Sequence, residues 1–135
     1  MGTDVKRYLF DTNILIYYFA DTLPEKEIIK IERILKESFC ISIITKIEFF
    51  GFEKYSTDEF SRELEFIGHA DVIPLTDEIA ERVIDLRRNI RIKIPDAVIA
   101  ATCLEGKYTL ITRNEKDFKE IPGLAIYNPF AEHIR

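Results

Sequence analysis

The chain has 135 residues, of which 47% are hydrophobic and 32% charged, so it is long enough for one domain with a substantial core. Its formal net charge of −5 argues against a generic nucleic-acid binder, and no apolar run reaches the roughly 18–20 residues that span a bilayer. The N-terminus shows no signal-peptide pattern, and Cys40 and Cys103 lie in apolar stretches, as is typical of reduced core thiols in a cytoplasmic protein.

Short strands and helices alternate along the whole chain. In order, the pattern predicts a strand at 7–11, helices at 13–20 and 24–38, a strand at 39–44, helices at 45–50 and 56–68, a strand at 71–75, a helix after Thr76, a buried helix at 97–104, and strands at 108–112 and 124–127. This alternation is typical of an α/β fold, here a three-layer α/β/α sandwich with a central, mainly parallel sheet of four to five strands. No linker or repeat interrupts it, so a single domain is expected over 1–135.

Capping and turn residues mark several boundaries of these elements. Thr45 is expected to cap the short third helix, because its hydroxyl can accept a hydrogen bond from a free backbone N–H. Ser56 and Glu59 have the spacing of a capping box at the start of the next helix. Pro74 favours an edge position for the third strand, and Gly106 is expected to end the buried helix.

Polar side chains follow several of the strands at one edge of the predicted sheet. Asp11 ends the first strand, Glu48 lies one helical turn past the second, and Asp96 begins the buried helix. Asn114 and Asp117 follow the fourth strand. Ligands of open parallel sheets bind beyond the carboxyl ends of the strands, so these groups form the candidate site.

Each acid also has an ordinary structural explanation. Asp11 could cap the first helix, and Asp96 could interact with the dipole of the helix that it begins. Glu48 could point into solvent, and Asp117 could be a simple loop acid. Together, however, these carboxylates would repel one another and their pKa values would rise unless a cation intervened. Mg²⁺ and Mn²⁺ are the cations that prefer such oxygen ligands.

Four segments resemble, in this order, a known family: YLFDTNILIYYF, ISIITKIEFFGF, IKIPDAVIAATCL and LITRNEKDF. They contain D-T-N, T-x-x-E, P-D-A-x-I-A and T-R-N-x-x-D-F. The combination resembles the PIN domain family, and more narrowly the VapC-type toxin ribonucleases of prokaryotic toxin–antitoxin pairs. The resemblance runs from about residue 7 to the closing YNPF at 127–130.

The resemblance implies a Mg²⁺- or Mn²⁺-dependent endoribonuclease. Asp11, Glu48 and Asp96 would bind the metal and activate the attacking water, with Asp117 as the fourth group. Asn114 stands where many family members carry an acid, which leaves open the fourth ligand and whether one metal or two are held.

The resemblance also implies helper residues and partners. Hydrogen bonds that support the metal ligands are expected from four side chains: Thr12, Asn13, Thr45 and Asn114. Family members form homodimers and are inhibited by a cognate antitoxin protein, through which they contact DNA indirectly. The exposed parts of the helices at 25–38 and 56–68 are the expected antitoxin surface.

Basic residues next to the acids could contact the RNA backbone. The candidates are Arg87, Arg88, Arg91 and Lys93 before Asp96, and Arg113 and Lys116 beside the fourth group. The alternative for 87–93 is a solvated helix end whose cations interact with the helix dipole. Tyr17, Tyr18 and Phe52 could stack on bases, but core packing is favoured for them.

Two other functions remain open at this stage. The opening YLFDTN resembles haloacid-dehalogenase-type phosphotransferases, in which the first Asp is a nucleophile, although Asn13 replaces the second Asp of that motif. The second alternative is a PIN-like domain that binds a partner and has no catalytic activity. A zinc site is not expected, because His69 and His133 have no Cys or His neighbours at zinc spacing.

Overall fold

The computed structural model of the chain describes residues 6–52 and 56–130, so His133 lies outside the described residues. Its strands are β1 (Tyr8–Phe10), β2 (Cys40–Ser42), β3 (Asp71–Ile73), β4 (Thr109–Ile111) and β5 (Ile126–Tyr127). Its helices are α1 (Thr12–Phe19), α2 (Glu25–Glu37), α3 (Ile43–Gly51), α4 (Thr57–Gly68), α5 (Asp77–Asn89) and α6 (Ile94–Gly106), with a 3-10 turn at Glu115–Asp117. None of these helices is both long and apolar enough to cross a membrane.

The five strands form one parallel sheet in the order β3-β2-β1-β4-β5. The predicted α/β sandwich with a parallel sheet is therefore confirmed, and β3 lies at the edge where Pro74 suggested it. Parallel strands need crossover connections, and the helices supply them on both faces of the sheet.

Successive strand residues point to opposite faces and so divide the core in two. Leu9 and Leu110 pack with the α6 residue Ile99 on one face. Phe10 and Ile111 pack with α1, α2 and α3 on the other face. Both cysteines are buried free thiols, as the apolar surroundings predicted.

Two helices start two or three residues earlier than the sequence predicts, whereas the other predicted helix ends differ by at most two residues. Ser42, not Thr45, caps α3: its hydroxyl accepts from the Ile44 N–H at 3.0 Å, so the helix starts two residues early and Thr45 is buried inside it. α6 starts at Ile94 rather than at residue 97, because Pro95 suits the first turn of a helix. Asp96 consequently lies in the first turn of α6.

Other local predictions hold. Ser56 and Glu59 form the capping box of α4, and Thr76 caps α5 by accepting from the Ile79 N–H at 3.2 Å. Gly106 is the last residue of α6, but the left-handed residue that follows the helix is Lys107, with φ of 57°.

Candidate active site

Asp11 is fixed at the carboxyl end of β1 by two hydrogen bonds. Its Oδ1 accepts from the Thr12 N–H at 2.8 Å, and its Oδ2 accepts from the Thr112 hydroxyl at 2.8 Å. The residue is 6% exposed. Asp11 is therefore the N-cap of α1, as the structural explanation proposed, and it also faces the candidate site. The two roles coexist in one carboxylate.

Thr112 was not among the predicted site residues. It is fully buried, donates to Asp11, and accepts from the Asn114 N–H at 3.0 Å. Its position follows from the sheet: β1 pairs with β4 with Phe10 opposite Ile111, so the residues after each strand meet. That pairing, together with its place in the T-R-N motif, is the signal that could have identified it.

Glu48 reaches the same region from α3. Its Oε1 accepts from the Thr12 hydroxyl at 2.6 Å, and the Thr12 hydroxyl lies 3.1 Å from that of Thr45. The predicted supporting residues Thr12 and Thr45 are thus both buried beside the acids. Glu48 is exposed, but its carboxylate is held at the site rather than free in solvent.

A pocket of about 190 Å³ brings most of the predicted residues together. Its lining comprises Asp11, Thr12, Asn13, Ile16, Glu48, Phe52, Asp96 and Asn114. We call it the acid pocket. It lies beyond the carboxyl ends of β1, β2 and β4, where open parallel sheets place their ligands.

Burial and like charges close together raise the pKa values of Asp11 and Asp96 in the acid pocket. Burial raises the pKa of Asp11 to about 6 in spite of its two hydrogen bonds, and the charges of Asp96 and Glu48 add to the effect. Burial also raises the pKa of Asp96, as do the charges of Asp117 and Glu48, whereas Lys93 lowers it.

The two candidates for the fourth group are separated. Asn114 lines the acid pocket, while Asp117 is exposed and lines an adjoining cleft. Asp117 is nevertheless close enough for its charge to raise the pKa of Asp96. The amide side chain therefore lines the pocket itself, whereas the Asp117 carboxylate acts on it only through its charge.

The predicted basic residues do not all line one cleft. Arg87, Arg91, Lys93 and Lys116 line the adjoining cleft, which has a volume of about 750 Å³. Arg88 does not line this cleft, but it shares a neighbouring hollow with Arg87 and Arg91.

Arg113 does not line this cleft either. Its guanidinium lies 4.5 Å from the centre of the Phe130 ring and 5.7 Å from that of Tyr17. Tyr17 and Tyr18 pack against the core, as favoured, and the Tyr18 hydroxyl donates to Glu32. Core packing, which was also favoured for Phe52, is wrong, because Phe52 is 51% exposed and lines the acid pocket.

The donor chemistry of the acid pocket suits a hard divalent cation. Three carboxylates and two amides line it, and such cations take oxygen ligands. As the side chains stand, no three His, Cys, Asp or Glu groups among residues 6–52 and 56–130 converge closely enough to hold a metal ion. Asp11 is held in place by Thr12 and Thr112, whereas Glu48 is exposed and Asp96 is half-buried.

Comparison with known proteins identifies the family and agrees with the fold. The model of the PIN domain family matches residues 8–124. A toxin–antitoxin complex from Klebsiella pneumoniae contains a chain 36% identical to this one, with a TM-score of 0.72 over 90% of this chain and 97% of that one.

VapBC structures are similar too. VapBC2 from Rickettsia felis, bound to a promoter DNA fragment, is 25% identical, with a TM-score of 0.76 over 90% of this chain and 98% of that one. DNA-bound VapBC from Salmonella typhimurium is 22% identical, with a TM-score of 0.77 over 93% of this chain and 99% of that one. At this identity the likeness is evidence for the fold alone. A search of curated protein sequences gave no match. The chain belongs to the PIN domain family, and its resemblance to the VapC type is confirmed.

Proposed function

We propose that this chain is a metal-dependent endoribonuclease and the toxin of a VapBC-like, type II toxin–antitoxin pair. Membership of the PIN domain family supports a nuclease in general. The observation that carries the proposal is the acid pocket, which Asp11, Glu48 and Asp96 line from three separate elements, with Asp11 almost fully buried.

Asp11, Glu48 and Asp96 are the residues that would hold Mg²⁺ or Mn²⁺, with Asp117 as the fourth acid and Asn114 as a supporting group. Such a cation supplies an activated water and stabilises charge on the phosphate during phosphodiester hydrolysis. The other residues of the chain orient these ligands. Asn13 lines the pocket together with the acids.

Two threonines carry out most of this orientation. Thr112 keeps Asp11 from rotating, and Thr12 restrains Glu48 through its 2.6 Å hydrogen bond. Such contacts to ligand oxygens hold a site in shape before the metal and the substrate arrive.

The partners follow from the same relatives. Solved structures similar to this chain include a toxin–antitoxin complex and DNA-bound VapBC. They support a cognate antitoxin as partner and DNA contact through that antitoxin. The homodimer and the action on cytoplasmic RNA are proposed from the family resemblance alone. The exposed Phe60 and Leu64 of α4 lie within the 56–68 helix expected to contact the antitoxin.

The phosphotransferase alternative is disfavoured by its own motif. Asn13 replaces the second Asp of that motif, and residues 8–124 match the PIN domain family instead. The other alternative is a silent binding domain. It would have no need for three mutually repelling carboxylates at one pocket.

The test is cleavage of structured RNAs by the purified, partner-free protein in Mg²⁺ or Mn²⁺ and in EDTA. We expect cleavage that requires metal and is lost in Asp96→Asn. Asp71→Asn is the matched control, because it removes the same charge from an exposed position at the amino end of β3. Cleavage by Asp96→Asn at the wild-type rate would overturn the proposal, and so would folded, metal-loaded protein that cuts none of the RNAs.

A further inference from the structure

The segment that follows β5 lies beside the loop that follows β4. The two strands pair in parallel, so residues 128–130 run alongside residues 112–117. We call residues 112–117 the site loop, because they carry Asn114 and Asp117, the two candidates for the fourth group. We propose that Asn128 is a positioning residue: it holds the site loop in place beside the acid pocket and so raises the affinity of the site for its cation, an inference that rests on the proposed function.

The side-chain amide of Asn128 makes a hydrogen bond with each of its two ends. Its Oδ1 accepts from the Phe130 N–H at 2.9 Å, and its Nδ2 donates to the Glu115 Oε2 at 2.9 Å. Because a backbone N–H can only donate, the first bond fixes which end of the amide is the oxygen, and the NH₂ group then faces Glu115. A hydrogen bond to a carboxylate is charge-assisted and stronger than one between neutral groups. Asn128 thus joins the site loop to the segment after β5.

The 128–130 segment is itself attached to the rest of the fold. The carbonyl oxygen of Pro129 accepts from the Lys30 Nζ of α2 at 3.2 Å, and Pro129 is buried. The Phe130 ring packs against the core on the α1, α2 and α3 face of the sheet. The hydrogen bond from Asn128 therefore connects the site loop to a packed support.

The same segment contacts the site loop on both sides of Asn114. Glu115 on one side accepts from Asn128, and the Arg113 guanidinium on the other side lies 4.5 Å from the centre of the Phe130 ring. Asn114 lies between these two contacts and lines the acid pocket. The two contacts therefore restrict the residue whose side chain stands in the pocket with the acids.

Restricting the site loop should favour binding of the cation. A loop that is ordered before the cation arrives loses less conformational entropy on binding than a loop that the cation must order. The Asp117 N–H donates to the carbonyl oxygen of Asn114 at 3.1 Å, so the two candidates for the fourth group belong to one short turn. Releasing Glu115 from Asn128 should therefore weaken cation binding, although neither residue lines the acid pocket.

The test reverses the polarity of this hydrogen bond. Asn128→Asp keeps an oxygen for the Phe130 N–H but turns a second carboxylate oxygen toward Glu115, so the contact becomes a repulsion. Adding Glu115→Gln restores the hydrogen bond with donor and acceptor exchanged, because the glutamine amide can donate to the new carboxylate. Glu115→Gln alone is the matched control, since its amide oxygen can still accept from Asn128. Thermal melts in EDTA establish that each variant is folded.

Two measurements are made on the wild type and on each variant. Amide hydrogen exchange in EDTA follows the N–H groups of Asn114 and Asp117, which are both hydrogen-bonded within the site loop. Calorimetry with Mg²⁺ gives the Kd of the cation. We expect Asn128→Asp to speed exchange at both N–H groups and to raise the Kd several-fold, and the double variant to return both quantities to those of Glu115→Gln. An added negative charge would by itself attract the cation and lower the Kd, so the direction separates the two causes.

Unchanged exchange in Asn128→Asp would overturn the inference, and so would a double variant as impaired as the single one. If the wild type binds Mg²⁺ and cleaves RNA while Asn128→Asp binds the cation equally well or better, the inference is wrong and the proposed function stands. If the wild type neither binds Mg²⁺ nor cleaves RNA, the proposed function fails. Faster exchange in Asn128→Asp that Glu115→Gln reverses would still establish that Asn128 positions the site loop.

Discussion

Asp11→Asn in the absence of metal tests the electrostatics of the acid pocket. The amide can keep both contacts of the carboxylate, because its oxygen can accept from the Thr12 N–H while its NH₂ donates to the Thr112 hydroxyl. The substitution therefore removes the charge and keeps the helix cap. Any change in the pH dependence of stability then reports the charge itself.

The direction and size of the effect follow from the pKa. Asp11 has a pKa of about 6 in the folded protein against an ordinary value of 3.8, so the folded state binds the proton more tightly than the unfolded state. Its contribution to the free energy of unfolding is therefore present below pH 3.8 and lost as the pH rises through 6. At about 1.36 kcal/mol per pH unit, the whole effect is about 3 kcal/mol, of which about 2 kcal/mol falls between pH 7.5 and 4.5.

The assay is urea unfolding in EDTA at several pH values for wild type, Asp11→Asn and the control Asp71→Asn. Asp11→Asn should be more stable than the wild type at pH 7.5. The difference between their free energies of unfolding should shrink by about 2 kcal/mol toward pH 4.5. Asp71→Asn should run parallel to the wild type. Parallel curves for Asp11→Asn and the wild type would refute the argument. A large loss of stability at every pH would show that Asp11 acts mainly as a helix cap.

Three further predictions concern neighbouring features. Thr112→Val removes a donor from the nearly buried carboxylate at the end of β1 and should cost about 1–3 kcal/mol in urea unfolding at neutral pH, whereas Thr112→Ser should restore most of the loss. Gly106→Ala places a Cβ against the Tyr108 ring and should cost about 1–3 kcal/mol, while Gly68→Ala, which meets open space, should cost far less in the same thermal melts. Asp117→Asn should weaken Mg²⁺ binding several-fold in calorimetry, and unchanged affinity would contradict its role as the fourth acid.

The arrangement of the fold was predictable because its signals are long and redundant. Period-2 and period-3.6 patterns alternate along the chain, and the parallel sheet follows from that alternation. Boundaries were harder because they depend on single residues. Because Ile43 and Ile44 are β-branched, the strand was predicted to include them. The Ser42 hydroxyl instead caps α3, so both residues belong to the helix. Ile94 and Pro95 suggested a loop, yet a proline is compatible with the first turn of α6.

In the candidate site, too, residues marked by their own sequence neighbours could be predicted, whereas residues that depend on contacts between distant segments could not. Asp11 and Asp96 could be placed in advance, because each stands at a sheet edge among apolar neighbours. Thr112 could not, because its role depends on the pairing of β1 with β4 rather than on its own neighbours. Arg87 and Arg88 were grouped because they are adjacent, but successive helical residues point about 100° apart, so only Arg87 lines the cleft that adjoins the acid pocket. Whether a run of charges lines one cleft is therefore decided by the direction of each side chain and not by adjacency along the chain.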